Sequence, residues 1–140
     1  TVALQRGQSI AVYSAPSSSA WSGANGKAKV STNDSFWAAG YENGWMLIMY
    51  ETSEGSVRVG YIDVNSITGT LPDLGLLAFH QEKITLSKKA VLTDDIRKQK
   101  NKIATLKKGT EVTLLCPYEK WLYIETVLKG KTVRGFIPAP

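Results

Sequence analysis

The chain has 140 residues, 43% of them hydrophobic, and a net charge of +5 from 17 Lys and Arg against 12 Asp and Glu. That apolar share excludes an intrinsically disordered chain, and the length admits one ordinary domain or two very small ones. Cys116 is the only cysteine, which excludes an intramolecular disulfide, and no run reaches the roughly 18 apolar residues of a membrane span.

Helical periodicity is weak throughout, and short apolar stretches broken by Gly, Asn, Ser and charged pairs predict an all-β chain. In the first half the expected strands are Ser9–Tyr13, Ala28–Ser31, Phe36–Tyr41, Trp45–Glu51 and Val57–Ile62. Glu42-Asn43-Gly44 carries an Asn-Gly hairpin signal, and Ser53-Glu54-Gly55 marks the next hairpin. The segment from Thr68 to Gln81 is interrupted by Gly69, Pro72 and Gly75. Its Leu74, Leu76, Leu77 and Phe79 are too apolar for a free linker, so it is expected to pack as an ordered connector. The second half repeats the layout with Lys83–Leu86, Ala90–Leu92, Ile103–Leu106, Glu111–Cys116, Trp121–Val127 and Thr132–Ile137, and with turns at 107–109, 117–120 and 129–130.

One offset tests the repeat. A shift of 76 (121 − 45) places Ala28 on Ala104, Val30 on Leu106, Asn33 on Gly109, Phe36 on Val112 and Trp45 on Trp121. Asn and Gly both tolerate a left-handed turn, which rationalises the Asn33/Gly109 match. After the last hairpin the offset is 75 (135 − 60), so Gly60-Tyr61-Ile62 meets Gly135-Phe136-Ile137, with one residue lost in a loop where length changes cost little. Alternation, with Glu125 facing outward, makes Leu122 and Ile124 core, and by the repeat Met46, Ile48, Phe36, Ala38, Val112 and Leu114 as well. Trp37, Trp45, Leu47 and Tyr61 then lie on the outer face. Arg58 and Arg134 are one residue out of register, so they are expected on opposite sheet faces.

The runs Asn43-Gly44-Trp45-Met46-Leu47-Ile48 then Gly60-Tyr61-Ile62, and Lys120-Trp121-Leu122-Tyr123-Ile124 then Gly135-Phe136-Ile137, together with Leu106-Lys107-Lys108-Gly109-Thr110-Glu111-Val112, resemble the bacterial SH3 family. The resemblance implies two small SH3-like β-barrels in tandem, residues 1–67 and 83–140, with the connector at 68–82. It implies further an exported bacterial protein, secreted or in the cell envelope, that binds cell-wall peptide or glycan, a proline-rich or extended peptide, or another extracellular polymer. The chain begins at Thr1 without a signal-peptide pattern, so an upstream segment is expected.

The residues point to binding rather than catalysis. His80, the only histidine, falls in the connector, and Cys116 sits in an apolar run, so no nucleophile pair, metal set or cofactor site is expected. Asp94-Asp95 reads as an Asx-type turn. The candidate ligand-binding residues are the aromatics Trp21, Trp37, Trp45 and Tyr61 in the first copy and Trp121 and Phe136 in the second, because rings line peptide grooves and stack on sugars. In the rival reading the chain is a structural or protein-interaction spacer, and Trp37, Trp45 and Tyr61 are buried between the copies. A third reading, a nucleic-acid-binding barrel, rests on nine Lys or Arg between Lys83 and Lys108, but no aromatic is interleaved there for stacking.

Overall fold

A computed structural model of the chain describes residues 2–52, 55–97 and 101–140. It is all-β. The strands are β1 (Ser9–Ala11), β2 (Lys29–Ser31), β3 (Phe36–Glu42), β4 (Trp45–Glu51), β5 (Val57–Asp63), β6 (Glu82–Thr85), β7 (Ala90–Thr93), β8 (Lys102–Leu106), β9 (Glu111–Tyr118), β10 (Trp121–Leu128) and β11 (Lys131–Pro138). The Ser53-Glu54 part of the expected hairpin lies outside the described residues.

Among the described residues three sheets form: β1-β2, β3-β4-β5, and a six-stranded sheet in the order β6-β9-β10-β11-β7-β8. Among the described residues, hydrogen bonding closes none of them into a barrel. The two halves nevertheless follow one plan. In repeat one, Val2 bridges Phe36 and Tyr13 bridges Tyr61; in repeat two, Ile84 pairs with Val112 and Thr93 with Phe136. The β3–β4 register steps from Ala38↔Ile48 to Gly40↔Leu47, and the β9–β10 register from Leu114↔Ile124 to Cys116↔Tyr123. Ala39 and Leu115 are therefore the extra residues of two β-bulges 76 positions apart (115 − 39).

The glycine of each Gly-aromatic-Ile triplet has a steric cause. A Cβ on Gly60 would stand 2.5 Å from Val12 Cγ1, and one on Gly135 would stand 2.9 Å from the Thr93 carbonyl. In both repeats the crossing strand passes too close for a side chain. Asn43 (φ 50°) and Glu119 (φ 54°) both turn left-handed at the matching hairpins. Asn33 does not share the conformation of Gly109 (φ 88°); its carboxamide instead accepts the Gly7 N–H at 2.9 Å. Pro117 was expected in a turn but continues β9, since β6 covers only 111–114 of that edge and leaves the missing N–H without consequence.

Alternation builds two cores. Ile10, Val30, Phe36, Met46, Ile48 and Ile62 fill the first, and Leu92, Leu106, Val112, Ile124, Val133 and Ile137 the second. A third cluster holds Leu115, Trp121, Tyr123 and Phe136, with Val59, Phe79, Ile96 and Cys116 packed against it. It is the seam between repeats, formed by the outer faces of both sheets. The connector lies along β3: Tyr41 N–H donates to Gly75 O at 3.0 Å, and Leu77 N–H donates to Tyr41 O at 2.7 Å. Its Leu74 reaches the first core and its Phe79 the seam.

The seam is reciprocal. From repeat one, the backbone N–H of Trp21 donates to Thr132 O at 3.0 Å on β11. From repeat two, the Asp94 carbonyl accepts the Val59 N–H at 3.1 Å on β5. Each long loop thus lands on the last strand of the other repeat, in an approximately two-fold exchange.

Candidate functional site

The six candidate aromatics do not form one open face. Trp37 is exposed, at 39% of its surface; Trp21 and Trp45 are half-buried. Tyr61, Trp121 and Phe136 are buried, at 0%, 6% and 5%. The expectation that these three present rings to solvent is corrected for a simple reason. Arg134 of repeat two lies against the Tyr61 ring, and Val59 of repeat one and Phe79 of the connector pack on the cluster that holds Trp121 and Phe136. Trp45 stacks edge-on with Tyr13 at 5.6 Å, and Trp21 packs against the second core.

An apolar cleft of about 290 Å³ lies along the seam. Trp37, Leu47, Met49 and Val59 come from repeat one, Ile96, Cys116, Tyr118, Tyr123 and Phe136 from repeat two, and Leu77 and Phe79 from the connector. Of the candidates, only Trp37 and Phe136 line it. Trp37 and Tyr118, at 39% and 42% exposure, are its most open aromatics. Tyr118 falls in the expected turn at 117–120, which hid it, and Tyr123 was not among the candidate rings. One signal was available: Leu47 and Tyr123, 76 apart, put apolar bulk on the outer face of both copies.

A polar network adjoins the cleft through Phe79, which lines the cleft and packs against the Arg134 guanidinium. Arg134 donates through Nε to Glu125 Oε1 at 2.9 Å, and through Nη1 to Glu42 Oε1 at 2.9 Å and Tyr61 Oη at 2.8 Å. Tyr61 Oη donates on to Glu42 Oε1 at 3.0 Å. The guanidinium also lies 5.5 Å from the Tyr61 ring centroid and 5.7 Å from that of Phe79. Burial pushes the Tyr61 phenol up to about 12, against the opposing pull of Arg134. Tyr123 is raised too, by burial first and by Tyr61 second; its hydroxyl is close enough to Tyr61 to feel it but has no well-formed hydrogen bond.

The second arginine holds the seam from the other sheet face, as the one-residue slip predicts. Arg58, opposite the core residue Tyr50, places Nη2 2.8 Å and Nε 3.1 Å from Asp94 Oδ2. Burial raises the Asp94 carboxyl while Arg58 opposes it. Asp95 makes the expected Asx turn, its Oδ1 accepting the Arg97 N–H at 3.1 Å. The role of Asp94 in linking the repeats was not legible from the dipeptide.

Cys116 is half-buried in the cleft, and burial raises its thiol. His80 is exposed on the connector. Among the described residues no three His, Cys, Asp or Glu side chains gather as a metal set, and no helix is long and apolar enough to cross a membrane. No family model matches the chain, and comparisons with curated proteins and with solved structures returned no match.

Proposed function

We propose that the chain is a non-catalytic binding module of two SH3-like repeats, and that the ligand enters the cleft between them rather than a face of either. The bacterial SH3 resemblance supports an exported, envelope-associated protein whose ligand is cell-wall peptide or glycan, another extended peptide or another extracellular polymer. The observation that carries this is the apolar cleft of about 290 Å³ with Trp37 and Tyr118 open to solvent. A cavity of roughly 150 Å³ takes a benzene ring, so this cleft has room for one bulky apolar side chain. Large exposed rings beside an unfilled apolar cleft are what a bound chain would cover.

Retention on insoluble peptidoglycan tests the reading. The intact chain is expected to sediment with it, and Trp37→Ala and Tyr118→Ala each to release it. Retention unchanged in both variants removes the cleft from the function.

The spacer reading finds support in the burial of Tyr61, while Trp37, which it also sets between the copies, is 39% exposed and Trp45 is half-buried. It predicts no retention on peptidoglycan at all, with the seam serving only to fix the two repeats in one orientation.

A further inference from the structure

The charge is not shared between the repeats. Residues 1–67 hold four Lys or Arg against five Asp or Glu, and residues 83–140 hold thirteen against five, so the halves carry −1 and +8. Asymmetry on this scale is a sign of a polyanionic partner. The structure concentrates part of it. The turn after β6 carries Lys88 and Lys89, and the turn after β8 carries Lys107 and Lys108. Leu86 N–H donates to Thr110 O at 2.9 Å and Gly109 N–H to Leu86 O at 2.8 Å, which ties the two turns together. With Ala90 opposite Leu106, the next step along the ladder sets Lys89 beside Lys107. Strand spacing then gathers four ammonium-bearing residues within roughly 10 Å.

All four are exposed, and none makes an ion pair among the described residues. At about one Debye length apart they repel. The fold does not ask for them. Register places Gln8, Ser9, Ser31 and Thr32 at the corresponding positions of repeat one, where Ile10 pairs with Val30. There the same end is held by neutral groups: Thr32 N–H donates to Gln8 O at 2.9 Å, and Gln8 N–H to Thr32 Oγ1 at 2.9 Å.

We propose that this lysine tip of repeat two is a docking surface for a linear, flexible polyanion that carries phosphate groups along its chain. Lysine rather than arginine gives strongly hydrated point charges without bidentate geometry, which suits a mobile multivalent chain more than a single fixed anion. Besides the lysines the two turns carry Ser87, Gly109 and Thr110. No ring is present to stack on bases and no large apolar side chain to enter a bilayer, which favours a polymer over single-stranded nucleic acid or a lipid surface.

The test uses the whole chain and long-chain inorganic polyphosphate. Binding is expected to weaken steeply with salt. Replacing the four lysines by the residues of repeat one (Lys88→Gln, Lys89→Ser, Lys107→Ser, Lys108→Thr) should cost at least about tenfold at low salt and flatten the salt slope by about three to four. A charge-matched control at exposed lysines elsewhere (Lys27, Lys29, Lys120 and Lys131, each to Gln) should retain the slope. Should the fourfold variant unfold, Lys108→Glu alone is expected to weaken binding by about threefold or more. Equal losses in variant and control overturn the proposal, since net charge would then suffice. Tighter binding through the same lysines to short duplex DNA or to phosphatidylglycerol vesicles, at matched phosphate and salt, overturns the partner class.

Discussion

The two repeats share a backbone and differ in what they put on it. Both bulge at the same position, at Ala39 and Leu115, and both keep a glycine where a strand crosses, at Gly60 and Gly135. Yet the last strand of one carries Arg58 on the inner face and that of the other Arg134 on the outer face, and each grips an acid of the opposite repeat. Backbone plan is set by packing and crossing distances, which both copies must satisfy. Side chains on the outer faces answer to the neighbour, and a single seam needs two complementary halves rather than two identical ones.

The largest expected effect separates the two arginines. Arg134→Met removes the cation that Glu42 and Glu125 share and leaves Glu42 only the Tyr61 hydroxyl as donor, and should lower unfolding stability by about 3–5 kcal/mol. Arg58→Met should cost less, about 2 kcal/mol, since that side chain keeps 21% of its surface in water. Urea midpoints measure both. A reversal of the order would mean that Arg58–Asp94 is the main tie between repeats. Next come the glycines. Gly60→Ala and Gly135→Ala should each cost about 2–3 kcal/mol by forcing a crossing strand aside. At Gly44 a Cβ meets nothing within 4 Å, and Ala there should cost only about 1 kcal/mol for its φ of 84°. Thermal melts that rank Gly44 with the other two would remove the crossing argument.

Alkali probes the seam without mutation. The Tyr61 phenol ionises at 10.0 ordinarily and at about 12 in the fold. Above pH 10 the unfolded chain therefore holds fewer protons than the native one, and stability falls as pH rises. The contribution is intact below 10 and lost through about 12, and amounts to about 2–3 kcal/mol. Tyr61→Phe should flatten that part of the stability profile relative to the parent chain. Identical profiles for the two would show that the phenol titrates as if exposed.

Much of this architecture was legible because strands alternate with period two. The spacing of Met46, Ile48 and Ile62 named one core, and a shift of 76 named its counterpart. Alternation says which face a ring is on, not what lies over that face. Tyr61 lies on the outer face by that pattern, yet it is buried, as are the candidate rings Trp121 and Phe136. The bulge at Leu115 also escaped, and it is what sends Leu115 to the seam while Leu114 stays with the core. Long-range pairs such as Arg134 with Glu42, 92 positions apart, leave no local pattern to read.

The smallest structural effect bears on the comparison most directly, because Trp37 is the candidate ring that the second repeat leaves uncovered. Trp37→Ala should change stability by less than about 1 kcal/mol, since an indole already 39% exposed gives up little buried area. Its loss should nevertheless remove most of the iodide-quenchable tryptophan emission, because Trp121 is shielded in the seam and Trp21 and Trp45 are half-buried. A near-neutral melt with a large drop in quenching means that the ring is held in the open by the fold at no benefit to it, as a binding residue would be. A large loss of stability with quenching unchanged would place Trp37 with the seam residues and leave the cleft without an open ring on the side of repeat one.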